Sequence, residues 1–306
     1  MPTNWPELPY ESWRATCDTL HGHTQVLGKL AAALAPPEPQ LQHAALRLTA
    51  RGWETAALPA PDGSGALLAV LDLRAHEAAV EHSDGRSARF ALTGDRSVGA
   101  VTRDLLAAAR ELGGPCELNL VPQETPWSTP LDEDEEHATY AATHVIAFHA
   151  AATRAALVLT ALRAPFRGRS TPVNAWWGSF DLAVSLFSGR SAEPPRTDFI
   201  TRNSMDAEEV AVGWWPGSDA YPKAAFYAYA HPAPEGFEQA TLEPAAAHWD
   251  GGLGLFVLDW DDVRTTPDPH GAALAFARAA LRHACEVCDW DPRLAASAQG
   301  DPPPVA

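Results

Sequence analysis

"TPVNAWWGSFDLAVSLFSGR", residues 171–190, sets two adjacent tryptophans against a Gly-Ser-Phe-Asp run. From 173 to 189 it reads as strand in two pieces, with successive side chains pointing to opposite faces. Trp176 and Trp177 then face opposite ways, so one can line a cavity while the other enters the core. The plainer alternative is that both pack, as aromatics do between the layers of any large mixed sheet.

Working outward, strand-like runs follow at 208–215, 224–231 and 253–260. A helix then starts with Asp268 as N-cap and Pro269 in its first turn. On the other side lies a long helical stretch, 137–164, closed by Pro165. Further back, 11–34 spaces Trp13, Cys17, Leu20, Thr24, Leu27 and Ala31 along one helical face, and "APPEP" stops it. Strand-like runs at 43–51, 66–73 and 76–82 come next, and Asp84-Gly85 signals a hairpin into 87–92. Ser97 is placed to cap a helix over 98–114, and 116–121 reads as one more strand.

Helix, three or four strands, helix thus occurs twice. The expectation is an α+β fold of two pseudo-repeated halves with mainly antiparallel sheet. The halves are 1–125 and 137–295, joined by an acidic, proline-containing linker at 126–136 and followed by a disordered tail at 296–306. The carboxylates at 132–136 read as a solvated entry to the helix after them, complementing its dipole.

A net charge of −17 with only short basic clusters, such as Arg163, Arg167 and Arg169, argues against nucleic acid and anionic membrane as partners. It suits a neutral or cationic ligand. Four cysteines in 306 residues make no disulfide framework. The N-terminus has no signal-peptide pattern, and the longest apolar stretch, 150–162, is too short to span a bilayer. A cytoplasmic protein with reduced thiols is expected. No oligomeric state is read from the sequence.

Eleven tryptophans and twelve histidines supply the chemistry worth weighing. Trp176 and Trp177 lie near Asp181, and Trp214 and Trp215 stand in "GWWPG". His21 flanks the apolar face of its helix, whereas His23, about 200° round, points outward. The two cannot share a metal, and there is no HExxH. A ligand set of His21, His43 and His137 is the remaining metal alternative. "CEVC" at 285–288 sits at a helix end, where the dipole does not activate thiols, and reads as packing. Nucleophile-elbow, Walker and dinucleotide signatures are absent, and no cofactor is predicted.

The runs "WPELPYESW", "TQVLGK", "LTARG", "WWGSFDLAVSLFSGR", "WWPG" and "AFYAYAHP" together resemble a bacterial family known as domain of unknown function 5996. The resemblance covers roughly Trp5 to Trp290 and implies membership rather than an activity. It carries Trp13, His21, Gln25, Lys29, Arg51, Trp177, Ser179, Asp181, Arg190, Trp215, Pro216, Tyr227 and Tyr229. It also implies an aromatic where His23 stands and a histidine where Asn174 stands, so a site using that histidine is altered here.

These readings converge on a tryptophan-rich pocket for a small polar or cationic molecule. Trp13, Trp177, Trp215 and Tyr229 are its expected walls, with Gln25 and Ser179 as polar groups. His21 or Asp181 would transfer protons, and Arg51 or Lys29 would neutralise an anion. The alternatives are a non-catalytic scaffold anchored by aromatics and a metal-dependent enzyme.

Overall fold

A computed structural model describes residues 5–297. The chain forms an α+β fold with two antiparallel sheets, in two compact units. The first unit is Pro9–His149 with Asn174–Asp181, and the second is the rest of the described chain. This division differs from the expected halves. The boundary falls inside a helix rather than at 126–136, and the Trp-Trp segment belongs with the N-terminal part.

The first unit opens with α1 (Tyr10–Leu34), ended by the prolines that follow. A 3-10 helix at Pro39–Ala44 and a two-residue strand β1 (Arg47–Leu48) replace the strand expected over 43–51. Then come β2 (Gly52–Glu54), β3 (Leu58–Pro59), β4 (Ala66–Asp72), β5 (Glu77–His82) and β6 (Ser87–Ala91). Their order is β1-β2-β4-β5-β6, with β3 also on β4. The predicted hairpin joins β5 to β6, and Gly85 takes the left-handed φ of 96° that the turn needs. α2 (Val98–Gly113) packs on β4, β5 and β6, and α1 packs on α2 and β4.

Ser97 caps α2 as expected, its Oγ accepting from Ala100 N at 3.0 Å. The acidic run does complement a helix dipole, but that of α2. Val98 N and Gly99 N donate to the carbonyls of His137 (2.9 Å) and Asp134 (2.7 Å). Ser97 Oγ donates to Glu135 (2.6 Å), which also pairs with Arg103 (3.0 Å). Residues 132–137 are therefore docked on α2, with Asp134 buried. Ser97→Ala should lower stability by about 1 kcal/mol, read as an earlier urea midpoint at unchanged slope.

α3 (Ala142–Arg163) starts five residues later than expected. Thr16 and Thr19 of α1 take the amides of Ala141 (3.2 Å) and Thr139 (3.1 Å) through their hydroxyls, holding 139–141 out of helix. At 22 residues α3 is long and apolar enough to cross a bilayer, unlike the shorter stretch read from sequence. Half of its apolar window is buried within the protein, a property core helices share. The 116–121 run forms no strand. β7 (Asn174–Trp176) returns to the first unit, where Ala175 bridges Leu46.

The second unit is built on β8 (Asp181–Ser191), β9 (Ala207–Trp215), β10 (Ala225–His231), β11 (His248–Asp250) and β12 (Leu255–Asp259), with α4 (Phe199–Ser204) between β8 and β9. Its strands run β11-β12-β10-β9-β8. α5 (Trp260–Arg264) follows β12, and α6 (Pro269–Val287) packs on β9, β10 and β12. Asp268 caps α6 through Gly271 N (3.0 Å), as predicted. α7 (Pro292–Ser297) is helical to its last described residue, so the expected tail is not a tail at 296–297. The rest of that expectation, 298–306, lies outside the described residues.

Candidate functional site

His21, Gln25 and Lys29 recur every four residues and so line one side of α1. The turn that follows β7 docks against them. His21 Nε2 donates to the carbonyls of Trp177 (2.9 Å) and Gly178 (3.0 Å). The Gln25 amide nitrogen donates to Trp177 O (3.1 Å) and Gln123 O (2.9 Å), and its oxygen accepts from Gln123 N (3.1 Å). Both nitrogens aim hydrogens at the same carbonyl, so their 3.2 Å approach is a shared acceptor and not a bond between them. The proton of His21 is thereby placed on Nε2, and Nδ1 keeps its lone pair.

Gly28 lets the Trp177 indole rest directly on the helix, since a Cβ there would fall within the ring. Trp177 Nε1 donates to Ala44 O (2.9 Å), which fixes the ring. The Lys29 ammonium stands 5.5 Å from its centroid. Burial pushes the lysine down to about 8, with no carboxylate among the described residues to oppose it.

Phe180 closes the turn at a left-handed φ of 55°, unusual for a non-glycine residue. That twist turns its ring inward. It stacks on His21 at 4.9 Å and on Phe148 at 5.3 Å, and Phe148 stacks on Trp13 at 5.3 Å. Trp13 is thus a fully buried core residue and not a pocket wall. His21 is the outer end of this row of rings. Although an edge of the residue stays open, burial among the rings pushes it down to about 4. Its two carbonyl bonds oppose that shift, and nearby His137 adds to it.

Trp127 stands against two histidines, 5.2 Å from the His21 ring and 4.3 Å from the His137 ring. His137 Nδ1 donates to buried Asp134 at 2.7 Å. Asp134 also accepts from the amides of Glu136 (3.0 Å) and His137 (3.1 Å), so it anchors the loop as well as the imidazole. Sequence reasoning missed Trp127 and Asp134 because 126–136 read as linker. The Asp-x-x-His spacing of 134 and 137 was the signal available.

Other expected members lie elsewhere. Arg51 is held by Glu54 (2.8 Å) and Glu81 (3.1 Å) on the first sheet. Burial works against its charge, but these carboxylates outweigh it and raise its pKa. It joins no contact with His21 and is corrected to a sheet-surface ion pair. Ser179 is exposed and donates to buried Asp181 at 2.5 Å. His23 does not point outward: it is 1% exposed, and its Nδ1 has no partner among the described residues. Burial, with help from Arg96 and against Asp134, pushes it down to about 3.

Asn174 is fully buried, its Oδ1 accepting from Arg47 and its Nδ2 unpartnered among the described residues. His43 accepts from Glu38 N (3.0 Å). No three His, Cys, Asp or Glu side chains are grouped for a metal among the described residues, so the His21, His43, His137 set is not assembled.

Trp215 and Tyr229 belong to the second unit. There Trp215 stacks on Tyr227 (5.0 Å) and Tyr227 on Tyr229 (6.3 Å), an aromatic row across β9 and β10. Cys285 and Cys288 are free, and burial pushes them up to about 12 and about 11, which keeps them as thiols. Of the large exposed apolar side chains, Ile146 and Leu157 both lie on α3, whereas Val121, Phe199, Leu253 and Val287 lie on other segments.

Residues 5–297 match a family of unknown function, DUF5996. No curated protein and no solved structure shows significant similarity to the chain.

Proposed function

The chain belongs to this family of unknown function, and from its geometry we propose that it binds a small polar molecule at the face of His21, Trp127 and His137, with His137 as the proton-transfer group. The observation that carries this reading is the Asp134–His137 bond beside Trp127. It fixes the proton on Nδ1 and leaves Nε2 as the reactive nitrogen, the arrangement general acid–base chemistry requires. His21 offers a second imidazole whose open nitrogen is the opposite one, Nδ1. Trp127 supplies a flat apolar surface between the two polar groups.

Further along α1, Lys29 is a buried amine without a countercharge among the described residues. That feature favours a neutral or anionic ligand over the cationic one suggested by net charge.

The test is a fragment screen followed through histidine side-chain 15N resonances. Hits are expected to shift the Nε2 signal of His137 together with the indole signal of Trp127, and His137→Gln should weaken them at least tenfold. A screen in which no fragment moves either resonance of the folded chain, or one whose hits bind His137→Gln equally well, overturns the reading.

A further inference from the structure

Of the 22 lysines and arginines in this chain only two are lysine, Lys29 and Lys223, which leaves twenty arginines. Lys223 is ordinary: it pairs with Asp259 at 2.5 Å, and its side chain is largely exposed. Lys29 is 6% exposed. Among the described residues it has neither a carboxylate nor a hydrogen-bond acceptor, only the Trp177 ring 5.5 Å away. A buried charge without a partner is costly, and a side chain escapes the cost by losing its proton. Guanidinium cannot do that near neutral pH, whereas an amine can. In a chain that otherwise relies on arginine and on the paired Lys223 for positive charge, the buried position holds an amine, which can become a neutral nucleophile.

We propose that Lys29 is a nucleophilic amine that captures an aldehyde or ketone as an imine, with the Trp177 indole as the wall of that site. The Nζ lone pair attacks the carbonyl carbon, and the carbonyl π pair moves to oxygen, which takes up a proton. The carbinolamine then loses water to give the imine. Amine and carbonyl compound become imine and water with no change of oxidation state, so no oxidant or reductant is needed. Burial makes this feasible at neutral pH. With its pKa near 8, about a quarter of Lys29 is uncharged at pH 7.5, against roughly a thousandth of an ordinary lysine. The inference goes beyond the histidine reading and does not depend on it. Lys29 lies eight residues from His21, about 12 Å along the helix.

The experiment is reductive trapping of the intact chain with butyraldehyde and cyanoborohydride at pH 7.5, mapped by peptide mass. Lys29 should be alkylated at least tenfold faster than Lys223, with a rate that rises through pH 8. In urea the two should react alike. A folded Lys29→Met variant should lose that adduct. If the variant does not fold, the Lys29 to Lys223 ratio in the wild-type sample decides alone. A Lys29 that stays unmodified, or reacts no faster than Lys223, overturns the proposal. The histidine resonances report separately on the other reading.

Discussion

Trp53→Ala is expected to cost about 3–5 kcal/mol, the loss typical of truncating a fully buried tryptophan. Trp53 stands in β2 at 1% exposure, 5.9 Å from the Phe148 ring and 5.2 Å from Phe180. Its Nε1 has no hydrogen-bond partner among the described residues, so the loss is one of packing and apolar burial. Phe180 is the link to the candidate site. Its left-handed backbone carries strain of order 1 kcal/mol, tolerated because surrounding contacts hold it. Without Trp53 the Phe180 ring loses one support, and His21 loses a fixed stacking partner. Urea unfolding should show the fall in stability, and the His21 ring signals should broaden or titrate at higher pH. A loss under about 1 kcal/mol, or a His21 that titrates as before, would mean the ring stack does not hold the turn.

Local signals in the sequence were reliable where the chemistry is local. The caps at Ser97 and Asp268, the proline stop after α1 and the Asp84-Gly85 hairpin are each decided within a few residues, and all formed. The start of α3 was not local. Two threonines more than a hundred residues away take the amides that a helix from 137 would have used. Docking of Asp134 and His137 on α2 was hidden for the same reason, because their partners are backbone amides at 98 and 99.

Within the site, His21, Gln25 and Trp177 were legible because α1 repeats them on one side and the turn carries unusual residues. Arg51 misled, since its pairing with Glu81 depends on sheet register and not on sequence neighbours. His23 misled because the helical-face argument assumes a solvated side, and from Gly22 to Ala31 α1 has none.

That inward His23 sets the second large effect, a loss of stability in acid. An unfolded histidine takes up a proton near pH 6.5, whereas the folded chain holds His23 neutral down to about 3. Its full contribution is present above 6.5 and drains away as pH falls toward 3. The unfolded state gains about 1.4 kcal/mol per pH unit for that one proton, so on the order of 3 kcal/mol goes between pH 6.5 and 4.5. His21, held down to about 4, adds a second proton over nearly the same range. Glu209 of β9 works the other way. Burial first, aided by Asp206 and opposed by Ser185 and Arg169, raises it to about 7, so its contribution falls as pH rises from about 4.5 to 7. The wild-type curve therefore contains opposing slopes, and a single variant separates them. His23→Leu keeps the volume, removes the buried nitrogen, and leaves Arg96 and Asp134 facing an uncharged side chain. The stability difference between variant and wild type should be flat above pH 7 and move in the variant's favour below 6.5, by on the order of 3 kcal/mol at pH 4.5. Urea midpoints measured from pH 4.5 to 8 test it, and parallel curves for the two proteins would show that His23 takes up its proton without unfolding.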